Sequence, residues 1–332
     1  MTAPRILGGA LAIDADLIAR AVRPSAAMDA ILSAARSELS EMPARTVHSL
    51  GTGEVFLMPA HAEADVGIKI LSLQRSNPRR GLPAVQGVHL VLDATTMSLR
   101  AILDGAALTT LRTPAVPLAV VRDRLIAPGR PVSAVVYGTG PQGRSFVRSI
   151  RDIVAVSSLS VVSRRDVTIE GAVTVRPGSA EERDALATAD LVACATSSVT
   201  PIFDGMLLGP RTTVVAVGAH EAGARELDAR VFDGATVVVE DRDTALREAG
   251  DVILAIAAGA TDAADLVQIA DIARGNIDLR LPSRVVVKTT GLAWQDVVVA
   301  RVVLYEVEKR AERRRRSGKG SRIQGHKRRR GR

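Results

Sequence analysis

Short runs of apolar residues recur through the middle of the chain, each followed by a segment of mixed polar and apolar character. The runs are rich in valine, and the stretches between them, such as 144–153, 181–187 and 243–248, are long enough for helices. Continuous apolar strands that alternate with helices are typical of a parallel sheet with both faces covered. The pattern therefore predicts a doubly wound, Rossmann-type α/β domain over residues 113–290. Its predicted strands are 132–137, 159–163, 191–195, 213–217, 236–240 and 284–288.

The first part of the chain has a different pattern. Residues 24–39 carry apolar side chains near helical spacing, and five short strand-like runs follow them. We expect an α+β domain with an antiparallel or mixed sheet, formed by residues 1–112 together with 291–308. A long helix is expected at 113–125, and a helix at 292–308 is expected to return to the first domain. The predicted strands of this domain are 46–50, 55–58, 67–73, 86–93 and 99–104.

Composition narrows the class of protein. The chain has 332 residues, of which 47% are hydrophobic and only 2% aromatic, so two domains with aliphatic cores are expected. The N-terminus is too short and polar for a secretory signal, and no apolar run approaches the length of a membrane span. Cys194 is the single cysteine, so no intrachain disulfide can form, and we read it as a core residue. These features favour a cytoplasmic protein.

The net charge of +8 comes from one end of the chain. Residues 309–332 contain 13 Lys and Arg against one Glu, so residues 1–308 carry a net charge of −4. The tail has few apolar residues, and we expect it to be disordered. It either contacts polyanions or is a solvated extension that takes no part in the chemistry, and the absence of aromatic residues among its charges favours the second interpretation.

A glycine motif follows the predicted strand 132–137 and directly precedes a predicted helix. In YGTGPQG, the first glycine allows a tight turn, the second lets a pyrophosphate approach the backbone, and the third lets helix and strand pack closely. The helix N-terminus adds free N–H groups and a partial positive charge. The motif predicts a dinucleotide site, the alternative being a glycine turn in a protein that binds no cofactor. Its loop residues are Gly138, Thr139, Gly140, Pro141, Gln142 and Gly143.

The end of the second Rossmann strand indicates which dinucleotide binds. It reads Ser163-Arg164-Arg165, where an NAD-preferring site usually has an acidic residue. A hydroxyl and two guanidinium groups suit a 2′-phosphate, so NADP(H) is the predicted cofactor. Asp166, one position later, keeps NAD(H) open as the alternative, with the arginines as solvated loop residues.

Other kinds of site leave no signal in the sequence. The five histidines lack metal-ligand spacing, so no metal is expected, and His220 is interpreted as a loop residue after a strand. There is no G-x-S-x-G nucleophile motif and no Walker phosphate loop.

The order of several motifs resembles the ornithine cyclodeaminase/mu-crystallin family over roughly residues 20–308. The matching stretches are Arg45 in MPARTV, Gly67-Ile68-Lys69 with Asn77-Pro78, LDGAALTTLRTPA around Arg112, YGTGPQG, ADLVACATSSVTPIF, AVGAHEAGARELDARVF and TGLAWQD. The resemblance implies that the first domain binds a small amino or imino acid and forms a homodimer. It also implies that substrate lies in a cleft facing the nicotinamide of the cofactor.

The family's substrate residues fall on Arg45, Lys69, Arg112 and Asp228. Arginine and lysine side chains can bind a carboxylate. Lys69, if placed next to two guanidinium groups, would have a lowered pKa and could donate a proton, and Asp228 could bind an ammonium group and move protons. Any one of these residues by itself is more commonly a surface ion pair. The resemblance adds further cofactor-binding positions: Ala195, Thr196, Val217, Gly218 and Thr289 or Thr290.

Three functions fit these residues. The favoured hypothesis is a ketimine reductase or amino-acid dehydrogenase that moves a hydride to or from the Cα of a cyclic imine or an alanine-type acid. The alternative is an ornithine or lysine cyclodeaminase, a lyase that retains NAD+ and forms proline and ammonia from ornithine. Many family members that handle ornithine carry a threonine in the loop that here reads Pro83-Ala84-Val85-Gln86, which argues against ornithine. A non-catalytic binding protein is the third hypothesis, and the intact set of charged residues argues against it.

Overall fold

The structure, a computed structural model, describes residues 6–7, 9–37 and 42–327, with side chains for 9–37 and 42–313. Contacts within the chain divide it into two compact units. The first takes its residues from Met1–Arg23, Met42–Leu108 and Asp296–Arg332, and the second from Pro24–Glu41 and Thr109–Gln295. The boundaries therefore lie a few residues from those expected at 112 and 291.

The elements follow one another along the chain as two groups of strands and helices. Up to residue 126 they are β1 (Ile6–Leu7), β2 (Ala10–Ile13), α1 (Ala15–Ala21), α2 (Pro24–Arg36), β3 (Thr46–Leu50), β4 (Gly53–Ala62), β5 (Asp65–Leu73), β6 (Val85–Asp93), β7 (Leu99–Asp104) and α3 (Gly105–Ile126). The others are β8 (Val132–Tyr137), α4 (Pro141–Ile153), β9 (Val156–Val162), β10 (Val173–Val175), α5 (Ala180–Ala187), β11 (Leu191–Cys194), β12 (Thr213–Ala216), β13 (Thr236–Val239), α6 (Arg242–Glu248), α7 (Gly250–Ala257), β14 (Val267–Gln268), α8 (Ile269–Ala273), β15 (Val285–Lys288) and α9 (Ala293–Lys327).

The first unit contains a seven-stranded sheet in the order β1-β2-β7-β6-β5-β4-β3. Its neighbouring strands are antiparallel except β2 and β7, so the predicted mixed α+β sheet is confirmed. Alternation along β5 puts Gly67 and Lys69 on the buried face, where Val297 of α9 lies against Gly67. The opposite face is apolar and half-exposed.

The second unit contains an eight-stranded sheet in the order β10-β9-β8-β11-β12-β15-β13-β14. Every strand pair in it is parallel, and the central strands β11, β12 and β15 are buried along their whole length. Successive strands β9 and β10 lie on one side of β8, and the strands from β11 onwards lie on its other side. The gap between the ends of β8 and β11 is therefore the switch point where ligands bind in such sheets. The predicted Rossmann-type domain is confirmed.

Two helices differ from their expected positions. Helix α2 was expected in the first domain, but it packs against α4 and α8 of the second unit. There Ser25 N donates to Asp152 Oδ2 over 2.8 Å, and Arg36 Nε donates to Ala273 O over 3.0 Å. Helix α3 begins eight residues before the expected residue 113, because Asp104 Oδ1 accepts the N–H of Ala107 and caps an earlier first turn.

The last helix, α9, is longer than expected. It was predicted to end at residue 308, with a disordered tail from 309, whereas the structure continues the helix to Lys327. The added residues include many Arg and Lys, which are good helix formers. The rest of the predicted tail, 328–332, lies outside the described residues. Within the described part of the chain, no helix is both long and apolar enough to cross a membrane.

Candidate functional site

The glycine turn after β8 is fixed by its neighbours at the switch point. Gly138 has φ +111°, and a Cβ there would lie 2.5 Å from the carbonyl oxygen of Ala195, which follows β11. A Cβ at Gly143 would overlap the carbonyl oxygen of Gly138. Both positions therefore require glycine for the chain to turn from β8 into α4 while touching the adjacent strand end.

Gly140 differs from the other two glycines. It is the N-cap of α4, and a Cβ there would meet no atom within 4 Å among the described residues. No described side chain caps this helix end, so its first amide groups lack a side-chain acceptor among the described residues. An open glycine beside a helix N-terminus is the cradle that a pyrophosphate needs, so these residues fit a dinucleotide. Thr139, Pro141 and Gln142 lie in the same turn, and Gln142 Nε2 reaches Thr109 O over 3.4 Å.

The end of β9 presents Ser163 and two arginines. Ser163 is buried, donates from Oγ to the carbonyl of Arg165 over 2.8 Å and accepts the N–H of Arg165 over 3.1 Å. This tight turn leaves the side chains of Arg164 and Arg165 exposed. Asp166 pairs with Arg176 at the surface. The guanidinium groups are thus available to an anionic group, while the nearest acid is engaged elsewhere.

The loops after β11 and β12 meet at one buried carboxylate. Glu226 accepts the N–H and the hydroxyl of Thr196 at Oε1, each over 2.7 Å, and the N–H of Gly218 at Oε2 over 2.6 Å. The side chain of Glu226 is fully buried, and burial raises its pKa. Glu226 thereby links the loop ends at Thr196 and Gly218, which directly follow Ala195 and Val217 in the chain.

A second carboxylate holds the loop after β15. Glu240 Oε2 accepts the N–H groups of Thr290 and Gly291 over 2.7 and 2.9 Å, and Oε1 accepts Gln295 Nε2 over 2.6 Å. Thr289 is buried at the end of the strand. A Cβ at Gly291 would lie 2.7 Å from both terminal nitrogens of Arg112, so this loop packs directly on the guanidinium of the predicted substrate arginine.

Asp228 begins a short 3₁₀ helix, Ala229–Val231, two residues after Glu226. Its Oδ1 accepts the N–H of Arg230 over 2.7 Å, and the side chain is half-buried. The N-cap contact uses one oxygen and fixes the direction of the carboxylate. A carboxylate held in this way can bind a cationic nitrogen with its other oxygen.

Lys69 lies in the first unit and is paired with a carboxylate. Its Nζ lies 2.5 Å from Asp296 Oδ2, and the two side chains are 1% and 0% exposed. Guanidinium neighbours, expected from the sequence, would favour the neutral amine, whereas the carboxylate of Asp296 favours the ammonium form. A protonated lysine can act as a proton donor.

His89 lies opposite Lys69 on the neighbouring strand β6. Its ring is fully buried, and neither ring nitrogen has a hydrogen-bond partner among the described residues. Burial, together with the Lys69 charge and against the opposing effect of Asp296, lowers its pKa to about 4. His89 is therefore neutral at physiological pH.

The predicted residues divide between the two units. Arg45 and Lys69 belong to the first, where Arg45 is half-buried immediately before β3. Arg112, Asp228 and the cofactor positions belong to the second. Sequence reasoning missed Asp296, Glu226, Glu240 and His89. The first two lie in the stretches TGLAWQD and GARELDARVF that carry the family resemblance, which was the available signal; Glu240 and His89 left none beyond their places on predicted strands.

The remaining sequence expectations concern residues outside this chemistry. Cys194 is fully buried in β11, and burial raises the pKa of its thiol far above the ordinary value, which agrees with a core role. His220 lies in the loop after β12, with Nδ1 3.3 Å from the carbonyl oxygen of Gly218. Within the described ranges, no group of three His, Cys, Asp or Glu side chains is arranged to hold a metal ion.

Comparison with known proteins gives consistent relatives. The model of the ornithine cyclodeaminase/mu-crystallin family matches residues 15–311. The chain is 28% identical over 307 residues to ketimine reductase mu-crystallin of Rattus norvegicus, covering 88% of this chain and 95% of that protein. It is 30% identical over 266 residues to Delta(1)-pyrroline-2-carboxylate reductase 2 of Burkholderia ambifaria, covering 78% and 83%.

A solved structure with the same fold is that of Thermococcus litoralis Delta(1)-pyrroline-2-carboxylate reductase in complex with NADH and L-proline. It matches with a TM-score of 0.80 at 22% identity, over 90% of this chain and 98% of that chain. At this identity the likeness shows the fold, and it agrees with the two sheets described above.

Proposed function

Because the chain belongs to the ornithine cyclodeaminase/mu-crystallin family, we propose that it is an NAD(P)-dependent enzyme that reduces the C=N bond of a small cyclic ketimine or imino acid. The observation that carries the proposal is the glycine turn between β8 and α4, whose open Gly140 lies at the switch point of a parallel sheet. The names of the relatives, ketimine reductase and pyrroline-2-carboxylate reductase, support the substrate class.

In this proposal the chain's charged residues bind and protonate the substrate. Arg112 and Arg45 bind the carboxylate, Arg112 from a guanidinium seated on Gly291. Lys69 gives a proton to the imine nitrogen, since Asp296 keeps its ammonium form. Asp228 orients the resulting amine. The bound nicotinamide supplies the hydride for Cα, so C=N becomes CH–NH.

The preferred dinucleotide is NADP(H). Support comes from the exposed Arg164 and Arg165 beside the buried Ser163 hydroxyl, and from the pairing of Asp166 with Arg176. Titration of protein fluorescence with NADPH and NADH tests this preference. Arg164→Ala/Arg165→Ala should weaken the binding of NADPH at least tenfold and leave the binding of NADH nearly unchanged, since only NADPH carries the 2′-phosphate. Equal affinities in the wild type would restore NAD(H) as the cofactor.

The activity is tested by reduction of pyrroline-2-carboxylate to proline with either reduced cofactor. Arg112→Lys should raise KM about tenfold, because lysine cannot make the bidentate contact. Arg122→Lys, on the same helix but in a surface pair with Asp29, is the matched control and should leave KM unchanged. Failure to reduce any cyclic ketimine, or pyruvate with ammonia, would overturn the proposal. Formation of proline and ammonia from ornithine would establish the cyclodeaminase instead.

We also propose that the chain forms a homodimer through the outer face of its seven-stranded sheet. Strand alternation places a continuous set of apolar residues on this face, and each is half-exposed or exposed. The set comprises Val55, Leu57, Val66, Ile68, Ile70, Val88, Leu90 and Leu92. A second copy of the same face is the occupant that an isologous dimer would supply.

The lone buried cysteine fits the cytoplasmic location that we propose for this dimer.

A further inference from the structure

Three buried charges lie beneath the loops that follow β11 and β12. Asp251 Oδ1 accepts the N–H groups of Glu226 and Leu227 over 2.7 and 2.8 Å, and Asp251 Oδ2 lies 2.8 Å from Lys288 Nζ. Lys288 Nζ also donates to Ala219 O over 2.5 Å. Glu226, Asp251 and Lys288 are each no more than 1% exposed. Through Glu226, this group is hydrogen-bonded to the predicted cofactor residues Thr196 and Gly218.

Burial raises the pKa of Glu226, but the hydrogen bonds that its two oxygens accept favour the ionised form. Each of its oxygens receives a backbone N–H, from Thr196 and from Gly218, and an amide cannot turn to accept a proton from a carboxylic acid. The Thr196 hydroxyl accepts the N–H of Ser198 over 3.2 Å, so it too gives its proton to Glu226. Two carboxylates and one ammonium then leave the buried group with one net negative charge.

The position of this charge relative to a bound dinucleotide follows from the sheet order. A dinucleotide bound in the manner typical of this fold would place its adenosine ribose at Ser163 after β9 and its pyrophosphate at the glycine turn after β8. The strands on the other side of the switch point are β11, β12 and β15, so their carboxyl ends face the nicotinamide half. An oxidised nicotinamide ring carries a positive charge, whereas the reduced ring is neutral.

We propose that Glu226 is a positioning residue that holds the loops at Thr196 and Gly218 and, through the net negative charge of its buried group with Asp251 and Lys288, favours the oxidised over the reduced cofactor. A site that stabilises the oxidised form makes the bound reduced form the stronger hydride donor. This inference rests on the proposed dinucleotide site. It adds an electrostatic bias that comes from buried charges outside the predicted set of substrate-binding residues.

The test is a comparison of the dissociation constants of the oxidised and the reduced cofactor for wild type and Glu226→Gln. The amide keeps the size of the side chain but removes the charge and turns an NH2 group towards an N–H donor. Both forms should bind more weakly, and the oxidised form should lose about tenfold more than the reduced form, the size expected for one charge acting over about 12 Å at an effective dielectric constant of about 20. A merely structural role would weaken both forms equally.

Two further variants keep the test interpretable. Asp190→Asn removes a carboxylate that holds Ser133 at the amino ends of β8 and β11, away from the carboxyl ends that face the cofactor, so it should leave the ratio of the two constants unchanged. If Glu226→Gln does not fold, Thr196→Val removes one donor while keeping the charge, and it should weaken both forms without changing their ratio. An unchanged ratio in Glu226→Gln, or a ratio shifted equally by Asp190→Asn, would overturn the inference. A wild type that binds neither form would instead overturn the proposed function.

Discussion

Lys69 and Asp296 are the most consequential pair at the residue scale, because a lysine and an aspartate share a site from which water is excluded. Charges removed from water are tolerated when they are paired, and each depends on the other. The neighbouring His89 shows the same constraint differently: with no partner among the described side chains, it is held neutral. Both features predict measurable effects on stability.

Asp296→Asn should lower the free energy of unfolding by about 3 kcal/mol or more, because it removes the carboxylate charge that lies against the buried Lys69 ammonium. Urea denaturation measures the change. Asp65→Asn is the matched control in the same unit: Asp65 is equally buried, but its partner Arg100 is 35% exposed and can be solvated. A loss no larger than that of the control would contradict the interpretation of the Lys69 pair.

His89 makes the protein acid-sensitive within a defined range. Its folded pKa of about 4 lies below the unfolded value of 6.5, so the unfolded chain binds the proton more readily. Stability should therefore fall as pH drops from about 6.5 to about 4, by roughly 3 kcal/mol from this residue.

His89→Leu removes the titration while filling the same space, so its unfolding free energy should depend less on pH than that of the wild type between those limits. Parallel denaturation series at pH 7, 5.5 and 4 provide the comparison. Identical pH profiles for the two proteins would show that His89 does not carry this sensitivity.

At the scale of elements, the strand–turn–helix unit of β8 and α4 combines two kinds of glycine. Gly138 and Gly143 are required by contacts inside the protein, whereas the space beside Gly140 is open among the described residues. The first kind serves the fold and the second serves a ligand.

Gly140→Ala should leave the melting temperature of the protein without cofactor nearly unchanged and weaken dinucleotide binding at least tenfold, since its methyl group enters the space of the pyrophosphate. Gly143→Ala should instead destabilise the protein itself, because its methyl group overlaps a carbonyl oxygen. Thermal melts with and without cofactor distinguish the two. Equal losses of stability in both variants would refute this division of roles.

At the scale of the whole molecule, the half-exposed outer face of the seven-stranded sheet sets the expected assembly. Leu57 and Ile70 are a cross-strand pair near its centre. Leu57→Lys/Ile70→Lys places two like charges on each copy of the face and should convert a dimer, of twice 34.9 kDa, to a monomer in light scattering. Thr168→Lys, in an exposed loop of the second unit, is the control. A wild-type monomer would contradict the proposed dimer.

The features that depend on neighbouring residues along the chain could be predicted from the sequence. The Val-rich runs placed the central strands of the parallel sheet to within about three residues, because strands buried on both faces are continuous and apolar. The glycine motif placed the turn into α4, and the order of motifs identified the family. The predicted strand 67–73 also contained Lys69, although the pattern did not show which partner this side chain has.

The folded structure was needed to identify the contacts between residues that are distant in sequence. It assigned α2 to the second unit through contacts with α4 and α8, although α2 precedes every strand of that unit's sheet. It showed that Lys69 pairs with Asp296, 227 residues away in the chain, and that Thr196 and Gly218 are hydrogen-bonded to Glu226. Buried charges select their partners by proximity in the folded chain and by the exclusion of water, and neither is encoded in local spacing.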